Sequence, residues 1–136
     1  MPGPRGNLTA AQYEIMNVVW NAGAAGISVA DIWQRIAQAR DIGRTTVLNQ
    51  VERLEKRGWL ARLAGAGTSR FTAAMAREEA SRQLVTEFVA DFFQGSAVEL
   101  VSTLLGSEAL ALTKKDIGRL RKLLDDARRN QAEGQP

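Results

Sequence analysis

The residues best suited to chemistry lie in the segment from Arg44 to Leu60, which reads RTTVLNQVERLEKRGWL. Their hydroxyl, amide and cationic groups can hydrogen-bond base edges and phosphates, and at helical spacing they fall largely on one side. Such a face suggests DNA recognition, although an ordinary solvated helix surface has a similar composition. The predicted DNA-binding residues of this helix are Arg44, Thr45, Thr46, Asn49, Gln50, Arg53, Lys56 and Arg57.

Different members of this face suit different contacts. Asn49 and Gln50 are the candidates for reading bases, because an amide can bind adenine through two hydrogen bonds. The lysine and arginine side chains suit phosphates or guanine edges. Glu52 is expected on the flank of the polar face.

The other side of the same segment predicts how the helix is held. Val47, Val51 and Leu54 recur at helical spacing and can form a stripe that faces a core. Leu48 is expected to join this stripe. Gly58 is free to adopt the left-handed conformation and should end the helix.

The composition argues against an enzyme. The 136 residues contain no cysteine and no histidine, which removes thiol chemistry, the commonest general base and the commonest metal ligand. A metal site built from carboxylates alone stays open, but the sequence shows no Gly-rich phosphate loop and no calcium-loop pattern. We therefore expect no catalytic residue, no bound metal and no cofactor.

The net charge of +3 is unevenly distributed. Residues 1–73 carry nine Lys/Arg and five Asp/Glu, a net charge of +4, whereas residues 74–136 carry nine and ten, a net charge of −1. This asymmetry favours a first half that faces nucleic acid, although a difference of this size also arises by chance. No apolar run approaches the roughly 18 residues of a membrane span, so we expect a cytoplasmic protein without membrane contact.

Two further helices are predicted before this segment. Thr9 and Gln12 fit a capping box at the start of the first helix, in which each side chain satisfies a backbone amide of the other. Ser28 fits the N-cap of the second helix, with Asp31 in its first turn. A short connection then leads to the helix at Arg44, so the two should pack as neighbours.

A hairpin is predicted after the segment, with strands at residues 59–63 and 70–73. Three helices followed by a hairpin indicate a winged helix–turn–helix domain over residues 8–75, after a disordered N-terminus at residues 1–7. The alternative for the hairpin is a plain connection that touches nothing. The wing residues able to reach phosphates are Arg62, Thr68, Ser69 and Arg70.

From residue 76 onwards the pattern predicts helices with broad apolar stripes, which makes the protein mainly α-helical. Three short helices have too little surface to bury both a Phe-rich and a Leu-rich face alone, so we expect a helical dimerisation domain over residues 76–129. Packing back on the first half is the alternative, and residues 130–136 should form a disordered tail. The predicted dimerisation residues are Leu84, Phe88, Phe92, Val101, Leu104, Ile117, Leu120 and Leu124.

Three motifs spread over residues 8–124 carry a family resemblance. They are LTAAQYEIMNVVW at Leu8–Trp20, TTVLNQVERLEKRGWL at Thr45–Leu60, and REEA followed by FFQGS within Arg77–Ser96. They resemble the opening helix, the recognition-helix signature and the linker with the first C-terminal helix of the penicillinase-repressor family, the BlaI/MecI/CopY group of bacterial transcriptional repressors. The resemblance implies a homodimer that represses nearby genes by occupying a dyad operator. It also implies DNA contacts at the start of the recognition helix and in the wing.

The chain departs from the pattern of that family at three points. The wing-tip pair, often Gly-Arg in the family, is about Ala66–Gly67 here, so Arg70 or Arg62 would have to substitute. The absence of cysteine rules out the metal site of the copper-responsive branch. The bond aligned with the Asn-Phe cleavage site of the antibiotic-responsive members is Thr103–Leu104, which leaves a regulatory protease open as a partner.

These observations predict a sequence-specific regulator that binds double-stranded DNA as a homodimeric repressor. Two other functions stay open. The winged helix can be a protein–protein interaction module with no DNA role. The protein can also be a ligand-responsive regulator, with Phe92 and Phe93 or Trp33 and Trp59 lining a pocket, although such aromatic residues more often serve packing.

Overall fold

The computed structural model describes residues 4, 6–65 and 67–134. The chain forms two compact units, Met1–Phe88 and Val89–Pro136. Ala66 at the predicted wing tip, and residues 1–3, 5 and 135–136 of the two predicted disordered termini, lie outside the described residues.

The first helix, α1, spans Ala10–Ala22 and begins as predicted. The Thr9 hydroxyl accepts a hydrogen bond from the N–H of Gln12 at 3.1 Å. The Gln12 Oε1 accepts one from the N–H of Thr9 at 3.1 Å, which completes the capping box. Two of the backbone donors that a helix start leaves unsatisfied are therefore paired locally.

The next two helices are α2 at Val29–Ala37 and α3 at Arg44–Lys56. Ser28 caps α2 by accepting a hydrogen bond from the N–H of Asp31 at 3.2 Å, as predicted. Gly58 has a φ of 85°, a conformation that L side chains rarely adopt, and the helix ends just before it as expected. The three helices pack against one another, which gives the helix–turn–helix arrangement.

Two strands, β1 at Leu60–Leu63 and β2 at Arg70–Ala73, form the predicted antiparallel hairpin. A bridge between Ile27 and Phe71 attaches β2 to the segment just before α2, with backbone hydrogen bonds of 2.9 and 3.1 Å. The wing is therefore tied to the helices by backbone pairing as well as by its side chains.

The hydrophobic core of the first unit lies where the three helices meet the hairpin. Trp59 and Phe71 are the largest of its fully buried side chains. Leu48 is 39% exposed, so the prediction that it joins the core stripe of α3 is wrong. Its position is about a quarter turn around the helix from the stripe, because successive residues are about 100° apart. The buried residues of α3 are Val47, Val51 and Leu54, as predicted.

The fourth helix, α4, spans Arg77–Phe92 and starts within the first unit. Ala80 is fully buried in the core of that unit, and Leu84 is partly buried against it. Sequence analysis had placed both residues in a separate dimerisation domain. The core extends onto α4 because its first turns supply a small and a large apolar side chain one helical turn apart.

The second unit contains the end of α4, then α5 at Ala97–Leu105 and α6 at Lys114–Gly134. Ser96 caps α5 by accepting a hydrogen bond from the N–H of Glu99 at 3.1 Å. The helix α6 continues to Gly134, so residues 130–134, predicted as a tail, are helical. From Val89 to Gly134 no residue is buried in the described chain, although large apolar side chains recur along both helices.

Within the described parts of the chain, no single helix combines the length and the apolar composition that a membrane span requires. Only the pair Arg77–Phe92 and Ala97–Leu105, which is bent at the break between the two helices, meets that test together.

Candidate nucleic-acid interface

The outward side of α3 presents the polar face that sequence analysis predicted. The buried stripe fixes the rotation of the helix about its axis, so the residues opposite that stripe point to solvent. Six of the eight predicted DNA-binding residues of this helix are exposed: Arg44, Thr45, Thr46, Asn49, Arg53 and Lys56. The net positive charge of these six side chains suits a polyanionic partner.

A shallow depression of about 410 Å³ lies on this face and is lined by Asn49, Glu52, Arg53 and Lys56. Glu52, which is expected on the flank of the polar face, thus lines the same depression as Asn49, Arg53 and Lys56. Thr45, Asn49 and Glu52 follow one another at spacings of four and three residues, which puts them in one row along the helix. The row thus combines a hydroxyl, an amide and a carboxylate.

The other two predicted residues, Gln50 within α3 and Arg57 just after its end, are half-buried and already hydrogen-bonded. Gln50 accepts a hydrogen bond through Oε1 from the Nε2 of Gln12 at 3.0 Å. Arg57 donates from Nη1 to the Oε1 of Gln12 at 3.2 Å. Gln12 is 6% exposed, so one buried amide joins the capping box of α1 to the second half of α3. These contacts orient the recognition helix on α1.

Arg57 also fastens the start of the described chain. Its Nη2 donates a hydrogen bond to the backbone carbonyl of Asn7 at 2.5 Å. The Nε2 of Gln83 donates to the carbonyl of Pro4 at 2.9 Å. Two residues within the segment predicted to be disordered are thus held against α3 and α4 of the first unit.

The wing holds Arg62 in a network of its own. Its guanidinium donates to both carboxylate oxygens of Glu55 at 3.1 Å and to the hydroxyl of Ser69 at 2.8 Å. It also lies over the Phe71 ring, 4.9 Å from the centroid. The hydrogen bond from Arg62 holds the pKa of the Glu55 carboxyl below its ordinary value. Arg62 and Ser69, both predicted to contact phosphates, are therefore engaged within the protein.

The remaining wing residues are exposed. Thr68 is exposed near the tip of the hairpin. Within the described residues, Arg70 makes long hydrogen bonds from Nη1, at 3.5 and 3.4 Å, to the carbonyls of Ala25 and Gly26. Arg70 is thus the wing cation with the weakest internal bonds, and it can move to an external anion at little cost.

Two of the aromatic residues considered for a ligand pocket, Trp33 and Trp59, belong to the packing of the core. Trp59 is fully buried in the core, and the indole N–H of Trp33 donates to the carbonyl of Ile42 at 2.8 Å while its ring packs on the core. An apolar groove of about 430 Å³ does exist in the first unit, between the start of α1 and the side chains of Leu84, Val85 and Phe88. None of the four aromatic residues proposed from the sequence lines this groove.

The bond between Thr103 and Leu104, which aligns with the cleavage site of the antibiotic-responsive repressors, lies inside α5. The Thr103 hydroxyl donates to the carbonyl of Glu99 at 3.0 Å, one turn earlier. Both residues are exposed, but the backbone between them is helical. A protease that cleaves extended chains would need this helix to open locally first.

A helix–turn–helix with an antiparallel wing and an exposed polar-basic recognition helix defines a winged-helix DNA-binding protein. The chain belongs to the penicillinase repressor family, whose model matches residues 8–126. It is therefore a DNA-binding transcriptional regulator, and neither the family nor the fold is that of an enzyme.

Comparisons with other known proteins give weaker similarities. No curated protein matches the chain. Among solved structures, it is similar to the oxidised form of MarR from E. coli, with 20% identity, 88% of this chain and 75% of that chain covered, and a TM-score of 0.47. It is also similar to MepR in the S. aureus MepR–DNA complex, with 17% identity, 88% and 77% covered, and a TM-score of 0.44.

Proposed function

We propose that this regulator acts in the cytoplasm as a homodimeric repressor and occupies a two-fold symmetric operator. The observation that carries the proposal is the exposed polar-basic face of α3, held by a fully buried stripe on a helix–turn–helix core. In this arrangement the recognition helix enters the major groove and its first turns meet the base edges. Two such helices, one per protomer, would lie about one helical turn of DNA apart or a multiple of it.

The proposed contacts divide by chemistry and by position on α3. Thr45, Thr46 and Asn49 lie in the first turns and read bases, with Asn49 suited to adenine. The cations Arg44, Arg53 and Lys56 bind phosphates or guanine edges. Gln50 and Arg57, because they are bonded to Gln12, act mainly by orienting α3 and not by touching DNA.

The wing adds a smaller contribution in this proposal. Thr68 and Arg70 are the residues available to a phosphate. Both are exposed, and Arg70 has no ion pair within the described residues, whereas the exposed Arg62 is paired with Glu55. Arg62 keeps the hairpin in place through its ion pair with Glu55 and its hydrogen bond to the Ser69 hydroxyl. This division removes the need for the wing-tip arginine that the family often has.

The second unit supplies the proposed dimer interface. Its helices expose large apolar side chains at helical spacing, which a soluble monomer rarely leaves uncovered over a contiguous area. A second copy would cover them and would supply the two-fold axis that a palindromic operator requires. The exposed residues that we propose for the interface are Phe88, at the end of the first unit, and Phe92, Val101, Leu104, Ile117, Leu120 and Leu124 of the second.

The proposal is tested by measuring, through fluorescence anisotropy, how tightly the purified protein binds DNA from upstream of its own gene. A shuffled duplex of the same composition is the control, and the salt concentration is raised stepwise to the physiological range. We expect tight binding to the native duplex only, a steep loss of affinity with salt, and two protomers per site by titration.

Two results would contradict the proposal. Equal and weak binding to both duplexes would mean that the basic face is not a sequence reader. A stoichiometry of one protomer per site at saturation would contradict the proposed dimer but not the proposed DNA recognition.

A further inference from the structure

One carboxylate lies within the DNA-facing row of α3 and has no role in the contacts assigned so far. Glu52 is exposed and shares the depression with Asn49, Arg53 and Lys56. No ion pair joins it to another side chain of the described residues. The other carboxylate of α3, Glu55, is paired with Arg62 through two hydrogen bonds and so presents little charge to DNA.

An unpaired carboxylate at this position has a cost in any DNA complex. Phosphates carry one negative charge per ≈1.7 Å of duplex axis, and they would repel the Glu52 carboxylate, which Arg62 attracts without forming an ion pair with it. Insertion of α3 into the groove would also desolvate the Glu52 carboxylate, which is unfavourable unless a hydrogen-bond donor replaces the lost water. The position therefore weakens binding to every sequence unless a base supplies that donor.

The major groove offers one base that fits this requirement best. Cytosine presents only its exocyclic N4 amine, a donor, whereas adenine presents the N6 amine beside the N7 acceptor, which would repel a carboxylate. Guanine and thymine present acceptors, with a methyl group on thymine. A carboxylate in this groove thus favours C·G over the other pairs.

Resting on the proposed function, we propose that Glu52 reads a cytosine in the operator through its N4 amine. Asn49 lies one helical turn earlier, about 4.5 Å along the helix axis, so the C·G pair should neighbour the pair that Asn49 contacts. In a symmetric dimer the same pair recurs in both half-sites. Glu52 is then a specificity residue whose charge penalises the wrong operators.

Binding selection from a pool of duplexes with a randomised centre tests this assignment. The proteins compared are the wild type, Glu52→Ala, Glu52→Gln and the control Glu78→Gln, which removes one negative charge from an exposed site on α4. We expect wild type and control to enrich C·G at one position of each half-site. Glu52→Ala should lose enrichment at that position only, and Glu52→Gln should shift it towards adenine, which an amide prefers.

Anisotropy on two duplexes that differ only at that pair gives the magnitude. Wild type should prefer the cytosine duplex by about 10- to 100-fold, and Glu52→Ala should bind the two duplexes about equally. If both Glu52 variants bind all duplexes more tightly and keep the wild-type base pattern, the carboxylate only repels phosphates and the assignment is wrong. An unchanged pattern and affinity would also overturn it. A wild type without any sequence preference would instead refute the proposed repressor function itself.

Discussion

The two units of the protein use the same local rules and reach different outcomes. In the first, Ser28 caps α2 and its apolar side becomes buried; in the second, Ser96 caps α5 in the same way and its apolar side stays exposed. The reciprocal bonds of Thr9 with Gln12 likewise reappear between Thr113 and Asp116, at 3.1 Å each. Local hydrogen bonding thus starts a helix whether or not a partner surface exists.

This contrast shows where the stability of each unit must come from. The first unit buries Trp59, Phe71 and the α3 stripe within one chain. The second unit has the apolar side chains for a core but no described residue that is buried. Its stability should therefore depend on protein concentration, as expected when a second copy completes the packing.

The largest effect is expected in the core of the first unit. Trp59→Ala should lower the free energy of unfolding by about 3–5 kcal/mol, because a large buried side chain is replaced by a cavity. Leu124→Ala, at a position that is 69% exposed, should cost less than about 1 kcal/mol. Urea unfolding of each variant in a Leu120→Asp background would measure both losses of stability without a contribution from dimerisation. Similar losses of unfolding free energy for the two variants would contradict the conclusion that only the first unit is stabilised by a core within one chain.

The second prediction concerns the exposed stripe of α6. Leu120→Asp places a charge in the proposed interface and should give monomers whose operator affinity is lower by about 100-fold or more, since the two half-sites are no longer linked. Gly118→Asp is the matched control, because it adds the same charge about half a turn away, where a new side chain meets no atom within 4 Å. Light scattering would report the mass. A monodisperse dimer for Leu120→Asp would place the interface elsewhere.

The third prediction separates two neighbouring amides of α3. Asn49→Ala should cost about 1–3 kcal/mol of operator binding and relax the preference at one base pair. Gln50→Ala should keep the base preference and lower the stability of the fold by about 0.5–1.5 kcal/mol, because it removes the bond to Gln12. Binding selection and urea unfolding would be measured on both variants. The reverse pattern would show that the two amides have exchanged roles.

The smallest effect is expected at the ion pair of the wing. Glu55→Gln should make the slope of log K for DNA binding against log salt concentration steeper by about 1. The reason is that Arg62 becomes available to a phosphate. It should also lower the Tm at neutral pH. The Glu55 pKa is lowered from 4.5 on folding, so its stabilising contribution is complete above that value and is lost as the pH falls through the folded-state pKa. A Tm difference from wild type that persists in acid would exclude the ion pair as its cause.

Much of the fold could be predicted because its signals are local. The caps at Thr9 and Ser28, the helix end at Gly58 and the two strands all follow from residues a few positions apart. The exposed face of α3 also followed from helical spacing. Its rotation was read correctly because three buried positions are enough to fix one side of a helix.

The site itself could be predicted only in part, since composition does not show which polar side chains are engaged within the protein. Gln50 and Arg62 have the same chemistry as residues that bind DNA, yet each is bonded to a residue of another element. Helical spacing places Glu52 on the flank of the polar face, and the structure adds that it shares a depression with Asn49.

Residue spacing is enough to predict the helices and the hairpin, because short-range hydrogen bonds and periodic apolar residues specify them. The family follows from the three motifs within residues 8–124. The fold is needed to see that Gln12 joins Gln50 and Arg57 over 38 and 45 residues, and that Leu84 packs against the core of the first unit. The physical reason is that a long-range partner is chosen by the packing of whole elements. No spacing within a single element encodes it.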